Sequence, residues 1–166
     1  MPTSKLLRIS IAVLLVLGVV ILASPVAAEM AKWTGTGFTT DWQQVEVGDQ
    51  EGHIFGIGKM KNLYIDSNTG VKTVGSSVYT MDLNPKAMKA TLQGYGVVTD
   101  QDGDKLMTSN EGKMVGKNHW SGTWFYTSGT GKYEGIKGTG KWDSYPMGPG
   151  QPSYFEIEGD VEMPAK

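Results

Sequence analysis

The sequence predicts an all-β protein, a single eight-stranded antiparallel barrel behind an N-terminal signal peptide. Three observations carry this expectation. Apolar and polar residues alternate with a period of two along most of the chain after residue 28, and the i, i+3, i+4 spacing of an amphipathic helix is almost nowhere present. Turn residues interrupt the alternation at short intervals. Of the 23 glycines, 22 follow residue 28, roughly twice the ordinary usage of about 7%, a composition that suits tightly turned strands and disfavours helices.

The first 28 residues have the order of a secretory signal. Lys5 and Arg8 supply a positive start, Ile11 to Ala23 is an uncharged apolar run, and Ser24-Pro25-Val26-Ala27-Ala28 breaks the helix and offers small residues to a peptidase, with cleavage expected after Ala28. An uncleaved anchor is the alternative, but the apolar run falls well short of the roughly 20 residues a spanning helix needs. No stable membrane anchor is therefore expected after cleavage, and the destination is secreted or periplasmic. The absence of cysteine rules out lipidation at that junction.

Residues 29–166 are the length of one domain with one core. They carry 13 lysines against 17 acidic residues, so the net charge is −4 and nucleic acid is not an expected partner. The only arginine, Arg8, leaves with the leader, which removes the two-pronged grip on carboxylate, phosphate or guanine. Without cysteine there is no disulfide, no thiolate nucleophile and no thiolate metal site.

The expected strands are Ala31 to Thr40, His53 to Ile65, Lys72 to Asp82, Ala90 to Asp100, Lys105 to Glu111, Val115 to Ser128, Gly138 to Tyr145 and Ser153 to Glu162. The turns between them are read at Asp66-Ser67-Asn68-Thr69-Gly70, Asn84-Pro85, Asp102-Gly103 and Asn110-Glu111-Gly112. Lys86 to Lys89 makes at most one short turn. Pro146-Met147-Gly148-Pro149-Gly150-Gln151-Pro152 reads as an irregular loop before the last strand, able to cover one end of the domain.

Faces follow from the period. Trp120, Gly122, Trp124 and Tyr126 share the inward face of the sixth strand, and Phe155, Ile157, Gly159 and Val161 that of the eighth, with Glu156, Glu158 and Asp160 outward. An open sheet of eight such strands would leave two edges and a bare apolar face with no helix to cover it. Closure into a barrel removes both problems, and a two-sheet sandwich is the alternative.

Several motifs admit a plainer reading than the one they suggest. Gly135 to Lys141 fits G-x-x-x-x-G-K, but Trp142 stands where a Ser or Thr must hold magnesium, so the glycines are read as a tight corner between strands. Asp100-Gln101-Asp102-Gly103-Asp104 offers alternate carboxylates, yet its glycine is fourth rather than sixth, and a hairpin turn is the better account. Asp49, Glu51 and His53 read as exposed polar residues entering a strand rather than metal ligands. His53 and His119 are the only histidines, no G-x-S-x-G elbow is present, and both are read as hydrogen-bonded structural groups. No metal and no cofactor are expected.

Gly122-Thr123-Trp124-Phe125-Tyr126, followed by Gly129-Thr130-Gly131-Lys132-Tyr133-Glu134-Gly135-Ile136-Lys137-Gly138, resembles the penultimate hairpin of the allene oxide cyclase and dirigent barrel superfamily, especially its small exported bacterial members. Asp100 to Asp104 joins the resemblance as the turn before a short strand. It covers the C-terminal half of the domain, and the other half only by strand count. The resemblance implies an eight-stranded antiparallel barrel, often a homotrimer, with an apolar cavity for a lipid-like or phenolic molecule. It transfers no catalytic set, because the matching glycines and Tyr133 shape the barrel rather than the chemistry.

Tyr79, Tyr95, Trp120, Trp124, Tyr126 and Trp142 are the candidate cavity residues, apolar walls with a few polar tips. Two functions follow. One is a carrier, or a cyclase or isomerase, for a hydrophobic small molecule, since cyclisation of a reactive epoxide needs little beyond an enclosing shape. The other is a structural or interaction module in which the same rings fill the interior.

Overall fold

The computed structural model describes residues 28–148 and 150–164. The expected leader therefore lies, apart from Ala28, outside the described residues. Eight strands run in chain order: β1 (Glu29–Glu46), β2 (Ile54–Asp66), β3 (Lys72–Asn84), β4 (Lys89–Thr99), β5 (Lys105–Gly116), β6 (His119–Gly129), β7 (Lys137–Pro146) and β8 (Ser153–Glu162). A single 3₁₀ turn, Gly131–Tyr133, joins β6 to β7. Each strand pairs antiparallel with the next, and β8 returns to β1, so the sheet closes into a barrel with no sandwich break. Closure leaves no strand of the sheet with a wholly free edge.

The β1 strand is longer than its alternation suggests. Its first half pairs with β8 from Glu29↔Val161 to Gly37↔Ser153, a bulge falls between Thr39 and Asp41, and the remainder to Glu46 pairs with β2 alone. The extra residue of a bulge resets which side chains face inward, so a strict two-residue period loses the strand at that point.

A second difference concerns the expected turn at Asn110-Glu111-Gly112, which lies inside β5. The reversal comes later, at Lys117 and Asn118, where Asn118 takes φ 58°. Asparagine tolerates this left-handed conformation, whereas Gly112 serves a different purpose. Gly112 and Gly122 are cross-strand partners, and a Cβ on Gly122 would come within 2.5 Å of the Trp142 ring. The two glycines form a flat pad on which the indole lies.

Other glycine positions work the same way. Gly140 and Gly159 are partners across β7 and β8, and the ring of Trp124 lies where a Cβ on Gly159 would stand, 2.7 Å away. Inward aromatic rings thus lie along the wall instead of meeting at the axis. That arrangement leaves room in the middle of the barrel.

The Asp100–Asp104 turn is fastened to the corner between β6 and β7. Lys132 Nζ donates to Asp102 and pairs with Asp100, while the backbone N–H of Lys132 donates to Asp104 Oδ2 at 3.2 Å. The lysine beside Asp100 holds that carboxyl below its ordinary range. These carboxylates are committed to a structural clamp.

Candidate functional site

The barrel encloses a cavity of about 940 Å³. Much of its wall is aromatic. Trp33 meets Trp124 edge-on at 5.9 Å, Trp124 meets Tyr126 at 5.0 Å, and Tyr64 leans on Phe155 at 5.5 Å. The indole N–H of Trp124 donates to the carbonyl of Glu158 at 3.2 Å, so the polar tip of the ring is satisfied by the wall and its apolar body is left to the lumen. Met60, Leu92, Val98, Leu106 and Ile157 are among the aliphatic residues that extend the apolar lining.

The phenols are neutral groups here. Burial pushes the Tyr64 hydroxyl up to about 12, and burial, helped by the neighbouring Tyr133 and Tyr64, raises Tyr126 further. Neither ionises in any ordinary buffer.

Five of the six residues expected from the sequence, Tyr79, Trp120, Trp124, Tyr126 and Trp142, line this cavity. Tyr95 does not. It is 70% exposed on the outer wall of β4, because the inward positions on either side of it are Gly94 and Gly96. A two-residue period applied to β4 places the two glycines inside and the tyrosine outside, beside Val78 of β3. Aromatic character alone misplaced it.

Residues that the sequence did not single out matter as much. Trp33 and Tyr64 add to the aromatic wall, as does Phe155 at its expected inward position, and Asn62, Ser77, Thr108 and Asn110, on β2, β3 and β5, form a polar patch beside Tyr126 and Trp124 of β6. Continuing the period of Gly56 and Gly58 through Met60 reaches Asn62 and Tyr64, which was the available signal. Asn62 is buried, its Nδ2 donates to Ser77 Oγ at 3.3 Å, and its Oδ1 has no partner.

The two histidines lie outside the cavity lining. His53 Nδ1 is 2.6 Å from Asp49 Oδ1 and Nε2 is 2.8 Å from Asp82 Oδ1, an arrangement that ties the β1–β2 loop to β3. His119 Nε2 is 2.7 Å from Asp143 Oδ1, with the ring stacked on Tyr145 at 4.8 Å. Each histidine is bound to carboxylates and has no serine partner in these contacts.

A closed eight-stranded antiparallel barrel around an apolar lumen is the class that fold and site together define. Among solved structures, the chain shares the barrel fold of dirigent proteins. A pterocarpan synthase dirigent protein matches with a TM-score of 0.56 at 10% identity, over 84% of this chain and 99% of that one. A conserved protein of unknown function from Rhodopseudomonas palustris matches with a TM-score of 0.55 at 11% identity, over 81% of this chain and 97% of that one. A second pterocarpan synthase dirigent protein gives 0.50 at 10% identity, over 84% and 91%. No protein-family model matches the chain, and a search of curated proteins finds no match.

Proposed function

We propose that this chain is an exported barrel protein that takes up a hydrophobic small molecule in its lumen, as a carrier or as a cyclase or isomerase. The observation that carries the reading is the cavity of about 940 Å³ walled by Trp33, Trp124, Tyr126 and Phe155. Its volume is at the upper end of the roughly 300–1,000 Å³ of small-molecule sites. A solid interior, which an interaction module would have, leaves no such space. Export is supported by the charge, apolar run and small residues of positions 1–28.

The catalytic branch draws support from the pterocarpan synthases that share the fold, at 10% identity. What the lumen offers chemically is enclosure, exclusion of water and neutral hydrogen-bonding groups. Those suffice for ring closures driven by the substrate's own reactivity. Native mass spectrometry of the purified chain against a membrane-lipid and phenolic extract tests the reading. A bound species at one per chain that quenches tryptophan fluorescence is expected; a bare mass spectrum with unquenched fluorescence refutes it.

A further inference from the structure

We infer that the lumen selects an uncharged apolar molecule carrying a hydroxyl or carbonyl oxygen and rejects a carboxylate of the same length. The inference rests on the lumen-binding reading above and refines its ligand. Two independent features support it, one of charge and one of placement.

No lysine, arginine or histidine is among the described residues lining the cavity. The ionisable carboxylates that line it, Glu29, Asp66 and Asp100, belong to one end of the barrel, and the charge of Asp100 is taken by Lys132. An anion entering the lumen would lose its hydration and find no opposite charge, a cost that far exceeds what a few neutral hydrogen bonds return. Glu29 and Asp66 would add repulsion.

The polar patch is neutral and is confined to β2, β3 and β5, bordered by aromatic rings. Ser77 and Thr108 face one another across Gly96, their common register neighbour on β4. A Cβ on Gly96 would stand 2.7 Å from Thr108 Oγ1, so the missing side chain leaves a recess edged by two hydroxyls. Asn62, 8% exposed, donates into the same group through Ser77 while its own Oδ1 lacks a donor. Asn110 continues the edge along β5, its inward face two residues beyond Thr108. Beside it on β6 stand Tyr126 and Trp124, the register partners of Thr108 and Asn110, and Trp33 and Phe155 extend the ring surface. A ligand with one oxygen in the recess and its apolar body against the adjoining rings satisfies both kinds of group.

Displacement of the neutral dye N-phenyl-1-naphthylamine from the purified chain at neutral pH tests this with four probes: 1-dodecanol, methyl dodecanoate, dodecanoate and dodecane. The alcohol and ester are expected to displace the dye at least about tenfold more effectively than dodecanoate, given the cost of an unpaired buried charge. Replacing both hydroxyls, with Ser77→Ala and Thr108→Val, is expected to weaken dodecanol about fivefold, the scale of one neutral hydrogen bond, and to leave dodecane unchanged. The nearly isosteric Thr108→Val alone serves the same comparison if the double variant does not fold. Dodecanoate matching the alcohol, or an unchanged alcohol affinity in the variants, overturns the inference. Failure of the dye and all four probes to bind overturns instead the lumen-binding reading beneath it.

Discussion

The indole N–H of Trp142 donates to the carbonyl oxygen of Thr123 at 3.1 Å, and this bond holds the ring flat against the strand wall. The ring can lie there only because the neighbouring inward positions, Gly112 and Gly122, carry no side chain. Large rings and bare glycines are therefore one device. It thickens the wall without filling the centre, and it explains why a barrel so rich in aromatics keeps a lumen.

Gly122→Ala is expected to destabilise the fold by about 1–3 kcal/mol, the usual cost of overpacking, because the new methyl meets both the Trp142 ring and the Glu111 carbonyl. Gly116→Ala is the control. Its Cβ would find nothing nearer than His119 Cβ at 3.8 Å, and its unfolding free energy is expected to change by about 0.5 kcal/mol or less.

Trp124 and Tyr95 test which aromatics face inward. Trp124 is 6% exposed, so Trp124→Ala is expected to cost about 3–5 kcal/mol in urea unfolding and to weaken binding of an apolar dye. Tyr95→Ala, at an outer position, is expected to cost roughly 1 kcal/mol or less through its cross-strand contact with Val78. Dye affinity should not change with it.

The Asp49–His53–Asp82 bridge makes stability depend on pH. Hydrogen bonds to Asp82 and then Asp49 raise the imidazole above its ordinary value of 6.5, and the bond to His53 lowers Asp49 below 3.8. A raised histidine contributes fully below its unfolded value and loses the contribution as pH rises through the folded one; a lowered aspartate contributes above its unfolded value and loses it on acidification through the folded one. The bridge is therefore strongest between those limits. His53→Ala is expected to widen the gap in urea midpoint from the wild type near pH 5.5 and to narrow it as pH rises through the raised folded-state value. An NMR titration of the His53 ring should give a midpoint above 6.5.

Much of the barrel is legible in the sequence because a one-sided strand repeats every two residues. Phe155 to Val161 carries unbroken alternation and Trp120 to Tyr126 departs from it only at the outward Phe125, and both present their expected inward residues to the lumen. The period fails where the chain inserts a residue, as at the bulge after Thr39, and where a glycine serves as a pad rather than a turn, as Gly112 does. The site was legible only in part, for a different reason. Of the residues singled out by aromatic type, Trp124 and Trp142 lie on the lining and Tyr95 on the outer wall, while Asn62, Ser77 and Thr108 have ordinary identities and acquire meaning only from the strands set beside them.

Intermolecular NOEs between a bound neutral dye and the methyl groups of the wall test the central claim most directly, since inner and outer methyls belong to the same strands. Contacts to Leu92, Val98, Leu106 and Ile157, with none to the outward Val78 and Val97, are the predicted pattern. Contacts confined to Val78 and Val97 would contradict a ligand-holding lumen.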